Sequence, residues 1–490
     1  MRVAIIYFVY FLCALCVSVV KLKLLECLIQ INQSCFMSLS IIILAAGKGT
    51  RMKSAKPKVM HTLAGKPLLQ HVIDTAQQLN PANLAVVCGN GADEVVPYLQ
   101  NQGIDTVMQH EQKGTGHAVE QAKAAFTNSE QTLVLYGDVP LIELATLQDL
   151  INCGDENSLK VLTAILDDPT GYGRIVRDDN DQMLCITEEK DADDDIKMIN
   201  EINTGIMCIP SKWLTQALDQ LDNNNAQGEY YLTDLIAKAV EQDIATSSVV
   251  CDDEMEVAGV NNRVQLAELE SYYQQKRATE LMMSGVTMRD PARIDIRGEL
   301  TAGQDIIIDI NVIFEGSNTV ADNVEIGANC IIKNSKIAAG ARILPNSIIE
   351  NSDVGENAEI GPFARIRPGT KLAAKAKVGN FVEIKNANIG LGSKINHLSY
   401  IGDTDMGADV NIGAGTITCN YDGANKHRTI IGDRVFVGSD TQLVAPVTIE
   451  NGATIGAGST IRKTAPADAL TLTKSEQKTV RGWQRPVKKI

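Results

Sequence analysis

At 490 residues the chain exceeds what one ordinary core accommodates, so two or more domains are expected. A formal net charge of −15 excludes a general nucleic-acid binder, which needs an excess of Lys and Arg. Aromatic residues make up only 4% of the chain beside 38 glycines, which points to a repetitive β architecture in part of it.

Taken in chain order, the first segment is the least like a soluble protein. Val3 to Val20 is uncharged and strongly apolar, with Arg2 before it and Lys21 and Lys23 after. Alone it reads as a signal peptide or short membrane span. Met37, however, leads at once into an apolar strand without a cleavage-like spacer. We therefore expect residues 1–36 to be a non-native extension upstream of a start at Met37. A real anchor is the other reading, and only that reading brings in a membrane. Four of the eleven cysteines fall before residue 37, and the rest are scattered without an even framework. They read as reduced thiols in a cytoplasmic protein.

From about 37 to 262, apolar strands alternate with amphipathic stretches. Ser40–Leu44, Leu84–Cys88, Thr132–Tyr136 and Lys160–Leu166 are predicted strands, and His71–Leu79 a predicted helix. That alternation predicts an α/β sheet of largely parallel strands, with ligand at the strand carboxyl ends. The loop after the first strand is the run Leu44-Ala-Ala-Gly-Lys-Gly-Thr-Arg-Met52, followed by Pro57-Lys58. Gly47 and Gly49 let backbone N–H groups approach phosphate oxygens, while Arg51 and Lys58 supply positive charge to an anion leaving water. A nucleoside triphosphate is the implied ligand.

Arg263–Met283 carries neither Gly nor Pro and is rich in Leu, Glu, Gln and Ala, so it predicts a long helix within a linker of 263–290. Past about 300, within a domain of 291–490, the pattern becomes six-residue. Val354, Ile360, Ile366, Leu372, Val378 and Ile384 are each six apart, as are Ile431, Val437, Leu443, Ile449, Ile455 and Ile461. An earlier run is Val320, Ile326 and Ile332. A period of six fits short flat strands, three per coil, each sending one aliphatic side chain into a prism interior. Breaks in the period are candidate functional places. Thr418 to Arg428 fits no hexad, and the step from Ile401 to Met406 is one short, just after His397.

Several strings together carry a resemblance. They are Leu44–Lys58, Gln109–Ala118, Leu135–Pro140, Asp168–Arg174, Glu201–Gly205 and Gly259–Arg263, then Ile360–Gly369, Asn396–Asp403 and Asn411–Asn425. In this order they resemble the bacterial bifunctional family that joins an N-acetylglucosamine-1-phosphate uridylyltransferase to a glucosamine-1-phosphate acetyltransferase. The resemblance covers Met37 to Ile490 and has no counterpart for residues 1–36. It implies a Rossmann-like α/β nucleotidyltransferase domain, a linker helix, and a left-handed parallel β-helix of hexapeptide repeats with a basic tail. It implies a homotrimer with acetyl sites between neighbouring prisms, and supply of peptidoglycan and lipopolysaccharide precursors.

Uridylyl transfer needs no general base, because a sugar phosphate is already ionised. It needs positioning and neutralisation of charge as pyrophosphate departs. Arg51 and Lys58 suit that role, with Mg²⁺ beside them. Asp138 is a hard oxygen ligand at the end of an apolar strand, and the resemblance pairs it with Asn261. The resemblance also assigns Leu44, Ala46, Gly47, Gln109, Gly114 and Thr115 to uracil and ribose. Gly173, Glu188 and Asn203 fall to the amino sugar, with Tyr136 beside it. His61, His71, His110 and His117 are expected to be structural or exposed.

Acetyl transfer from acetyl-CoA differs, because the amine of glucosamine-1-phosphate must lose a proton. Histidine is the usual base, and His397 is expected to serve. The resemblance implies Arg367, Lys385 and Lys426 at the sugar phosphate, with Tyr400, Asn411, Asn420 and Tyr421 around sugar and acyl group. Ala414, Ser439, Ala457 and Lys474 are implied for the acetyl-CoA groove. Position 474 is often Arg in the family, and Lys keeps the charge but loses the bidentate fork. The alternative is a single-activity sugar-nucleotide pyrophosphorylase whose β-helix is purely structural.

Overall fold

A computed structural model describes residues 38–474, 476–486 and 488, so the expectation about residues 1–36 lies outside it. The chain divides into two compact units. One holds the chain up to His61 with Pro67–Leu266; the other holds Thr62–Lys66 with Ala267–Ile490.

The first unit is built on a sheet ordered Thr246–Cys251, Leu159–Ile165, Glu201–Pro210, Gln131–Tyr136, Leu39–Ala45, Asn83–Cys88, Asp105–Met108. All neighbours along this order are parallel except Glu201–Pro210, which runs against both of its neighbours. Leu39–Ala45 shows why the run Ser40-Ile-Ile-Ile-Leu44 forms a central strand. Ile41, Ile43 and Ala45 enter one core, Ile42 and Leu44 the opposite one, so both faces are covered. The helix Leu68–Gln78 buries Leu68, Leu69, Val72, Ile73 and Ala76, a helical spacing that lays one face on the sheet. Each predicted strand forms to within a residue or two.

The second unit begins with the helix begun at Arg263, which runs to Met283 as predicted; Ala278 and Leu281 join the core of the coils. Two parallel sheets follow, one of 11 strands and one of 17, forming the faces of a left-handed β-helix. On the first face the core residues Ile326, Ile343, Ile360, Val378, Ile395, Ile412, Val437 and Ile455 pair directly, one coil to the next. Every aliphatic residue of the predicted six-residue runs is buried. Burial of each Ile contributes roughly 1.5–3 kcal/mol. The coil from Ile412 to Val437 is the longest of these because Asn420–Arg428 leaves the prism, Tyr421 and Lys426 forming their own antiparallel bridge.

The short step at Ile401–Met406 does not mark a site. The same five-residue step recurs at Ile332–Ile337, Ile349–Val354 and Ile384–Ile389, each with both ends in the core. It is how one corner of the prism is turned.

One turn position is instructive. Three residues past each core aliphatic of the first face, the backbone is left-handed at Asn311, Asn329, Asn346, Phe363, Phe381, Leu398, Gly415, Asp440 and Gly458. The three Asn form a side-chain ladder, Nδ2 of Asn311 to Oδ1 of Asn329 at 2.9 Å and Asn329 to Asn346 at 3.2 Å. Asn tolerates this conformation; Phe and Leu do so at a cost. Phe363 and Phe381 stack at 5.3 Å, and both are exposed, as is Leu398.

Candidate functional site

In the first unit the carboxyl ends of Leu39–Ala45 and Gln131–Tyr136 open onto a cleft of about 460 Å³. Leu44, Ala46, Gly47, Lys58, Gln109, Gly114, Thr115, Tyr136 and Asp138 all line it. The strand ends are tied by Gly137 N–H donating to Leu44 O at 3.0 Å. Val260 N–H donates to Asp138 O at 2.9 Å, which brings the Gly259–Asn261 segment alongside.

Four residues from three distant places in the sequence therefore meet. Lys58 Nζ pairs with the Asp138 carboxylate and lies 3.3 Å from Asn261 Oδ1, which also accepts from Arg51 Nη2 at 2.8 Å. Nδ2 of Asn261 faces Gly259 O at 3.4 Å, which orients the amide oxygen toward the cations. An ammonium thus stands where a carboxylate and an amide oxygen converge. Hard oxygen donors, few in number, fit Mg²⁺, which keeps waters and phosphate oxygens in its shell. Among the described residues no group of three or more His, Cys, Asp or Glu could hold a metal.

Gln109 is buried and its amide is committed. Nε2 donates to Gly114 O at 3.1 Å and contacts His117 Nδ1 at 3.0 Å, leaving Oε1 as its other polar atom. His117 is therefore structural, as expected, but it orients a predicted ligand-binding side chain.

Gly173 and Asn203 are paired backbone partners of neighbouring strands. Of the adjacent acids, Glu188 lies beside Gly173 and accepts from Thr233 Oγ1 at 3.1 Å, whereas Glu189 pairs with Arg174 at 2.9 Å. Burial pushes Glu188 above the ordinary carboxylate range; the Thr233 hydroxyl opposes this and nearby Asp234 and Asp191 add to it. Tyr136 is pushed upward as well, first by burial, then by Glu188 and Asp138. Gly173, Glu188 and Asn203 are absent from the lining of the nucleotide cleft, and Tyr136 belongs to both groups.

The sequence reading passed over three residues. Gln112 and Glu229 line the cleft. Gly205 has φ +87°, and a Cβ there would lie 2.5 Å from Tyr136 Cε2. Gly205 and Gln112 each left a signal, as members of the strings Glu201–Gly205 and Gln109–Ala118; Glu229 left none.

The second unit builds its cluster by stacking. His397, Ala414, Ser439 and Ala457 each stand two residues past a core aliphatic of the same face, on successive coils. The line continues to Asn380, the register partner of His397. Asn380 Oδ1 lies 3.1 Å from His397 Nδ1, so Nδ1 donates and Nε2 carries the lone pair. Cations also gather around Lys385. Lys426 alongside Lys385 holds the latter below the ordinary lysine range, aided by lost hydration and by Arg367. Arg367 pairs with Glu383 at 2.6 Å. Like charges held together in this way favour an anion between them.

Tyr400 reaches Asn420, its hydroxyl 3.5 Å from Nδ2. Asn411 is on the coil beyond His397, in register with Lys394. Tyr421 is exposed in the extruded loop, its hydroxyl donating to Gly423 O at 2.6 Å. Asp422 meets His427 Nε2 at 2.7 Å and is held well below the carboxylate range, first by the Asn425 N–H and then by His427. Lys474 is exposed past the last coil.

Three domain families match the chain. The MobA-like NTP transferase domain matches residues 41–191, the GMPPB C-terminal domain 296–389, and the bacterial transferase hexapeptide (six repeats) 428–463. The bifunctional protein GlmU of Pseudomonas putida strain GB-1 is 54% identical over 452 residues, 92% of this chain and 99% of that protein. The protein of the same name from Stutzerimonas stutzeri is 54% identical over 453 residues, covering 92% and 100%. That of Janthinobacterium sp. strain Marseille is 55% identical over 450 residues, covering 92% and 99%.

Proposed function

The chain belongs to the family of bifunctional GlmU proteins, and from that premise we propose how its two units divide the work. It carries both transferase activities of UDP-N-acetylglucosamine synthesis, acetyl transfer to glucosamine-1-phosphate and uridylyl transfer to the acetylated product. The observation that carries the division is the meeting of Arg51, Lys58, Asp138 and Asn261 in one unit and the His397 column in the other.

In the first unit, the Gly47 backbone and Lys58 hold the UTP phosphates, and Leu44, Ala46, Gly114 and Thr115 flank uracil and ribose. Gln109 Oε1 accepts from uracil N3–H; cytosine offers an acceptor at that position and is rejected. Gly173, Glu188 and Asn203 hold N-acetylglucosamine-1-phosphate, whose phosphate oxygen attacks the α-phosphorus in line. Arg51 and Lys58 stabilise charge on the departing pyrophosphate. Asp138 and Asn261 would hold Mg²⁺, which when bound supplies further neutralisation of phosphate charge.

In the second unit, Arg367, Lys385 and Lys426 take the phosphate of glucosamine-1-phosphate, with Tyr400 and Asn411 at the sugar. His397 Nε2 removes a proton from the amine as nitrogen attacks the thioester carbonyl; the sulfur leaves as coenzyme A thiol. Ala414, Ser439 and Ala457 line the acetyl-CoA groove, with Asn420, Tyr421 and Lys474 beside it. We further propose a homotrimer: exposed Phe363, Phe381 and Leu398, adjoining the His397 column, form the apolar strip a second copy covers. No helix among the described residues is long and apolar enough to cross a membrane. UTP and acetyl-CoA as substrates support a cytoplasmic site of action, feeding cell-envelope precursors.

The test assays both half-reactions on protein beginning at Met37. Coenzyme A release with glucosamine-1-phosphate, and pyrophosphate release from UTP with N-acetylglucosamine-1-phosphate, are the expected results. Pyrophosphate release without acetylation would leave the solenoid structural.

A further inference from the structure

Asp403 is a buried ionisable side chain, 5% exposed, that none of the steps above uses. It follows the strand Tyr400–Gly402 in a left-handed conformation, its N–H donating to Lys385 O at 3.0 Å. One carboxylate oxygen accepts from Asn386 Nδ2 and the other from Asn420 Nδ2, each at 2.5 Å. Its backbone carbonyl accepts from Thr429 N–H at 3.1 Å. Asp403 therefore touches the extruded loop at both ends, at Asn420 where the loop leaves and at Thr429 where it rejoins the coil. Gly402 makes the close seat possible: a Cβ there would collide with the Tyr400 hydroxyl and lie 2.8 Å from Asn420 Nδ2.

We propose that Asp403 is a positioning residue for acetyl transfer, fixing which atom Asn420 offers to the substrate. This rests on the assignment of Asn420 to the acetyl-transfer site. A primary amide has a donor end and an acceptor end of nearly equal shape, exchanged by a half-turn. A carboxylate only accepts, so Asp403 holds the N–H end of Asn420 toward itself. The Tyr400 hydroxyl, at 3.5 Å, lies on the same Nδ2 side. What Asn420 has left for a ligand is Oδ1, an acceptor. An attacking amine needs that: Oδ1 takes one N–H and leaves the nitrogen lone pair to the thioester carbon.

The experiment is a double-mutant cycle in the full chain, with kcat for acetyl transfer as readout and uridylyl transfer and thermal midpoint as fold controls. Asp403→Asn lets Asn420 present either end, and kcat is expected to fall about tenfold, the worth of one charge-assisted hydrogen bond. Asn420→Ala should fall by a similar factor, and the double variant no further. If Asp403→Asn lowers the thermal midpoint, Asp403→Ser takes its place with the same expectation. An undiminished effect of the Asp403 change in the Asn420→Ala background would overturn the proposal, because it would then act through Lys385 and Arg428, which feel its charge. So would normal acetyl transfer by Asp403→Asn beside a defective Asn420→Ala. If Asn420→Ala itself acetylates normally, the site assignment is what fails.

Discussion

The two units assemble their chemistry in opposite ways. In the α/β unit, Arg51 and Lys58 meet Asn261 across more than 200 residues of chain, and Asp138 comes from a third place. In the solenoid, Asn380, His397, Ala414, Ser439 and Ala457 come together because each holds the same place in its own coil. The first arrangement depends on the whole sheet forming in the right order. The second depends only on each coil lying in register on the last. Chemistry that needs several different groups at one point suits the former; a long ligand laid along a groove suits the latter.

The largest test of that contrast is reciprocal. His397→Ala should abolish acetyl transfer with uridylyl transfer near normal, and Asp138→Ala should do the converse by on the order of 100-fold or more. Both are read by assaying the two half-reactions separately. Loss of both activities in either variant would end the picture of two independent sites.

Next in size is a single added methyl in the first unit. Gly205→Ala combines a left-handed backbone with a clash against Tyr136, so uridylyl kcat/KM should fall at least about tenfold. In the solenoid, Ala457→Leu should act on one ligand only, raising KM for acetyl-CoA about tenfold and leaving the KM for glucosamine-1-phosphate within twofold. A change in both constants would mean that column members are not independent.

The smallest effect is a pH dependence. Glu188 has a folded pKa raised by burial, so it takes up a proton at higher pH than a free glutamate. KM for N-acetylglucosamine-1-phosphate should rise as pH falls through that raised value, and the slope should vanish in Glu188→Gln. For stability the sign is opposite: this group's contribution is present below the unfolded pKa and is lost as pH rises through the folded one.

Most of the solenoid was legible because a six-residue period is a physical period, with one core side chain per strand. The buried Ile and Val positions and the extruded loop follow from it, while the long helix follows from a stretch free of Gly and Pro. At His397 one sequence signal had another cause: its neighbouring short step recurs on other coils as a corner of the prism. In the α/β unit the strands and the glycine loop were local and could be read, since Ile41 to Ile43 needs only two covered faces. Glu229 was not, because it reaches the cleft through a loop with no periodicity, and Gln112 was passed over inside a string that was noticed. Asp403 escaped for another reason. Its string was noticed, but a carboxylate turned inward to two amides looks in sequence like any turn aspartate.

The left-handed turn column running from Asn311 to Gly458 has a consequence for how such a protein changes over time. It goes through three Asn, then Phe, Phe and Leu, then Gly, Asp and Gly, while the aliphatic residues behind it stay nearly uniform. Surface identity is thus written one coil at a time, on side chains that lie outside the core. A substitution at one turn can convert a self-paired ladder into a sticky strip, or a sticky strip into an open channel, without renegotiating the interior. The solenoid can therefore drift in what it touches while staying fixed in what it is, a freedom the interlocked sheet of the other unit does not have.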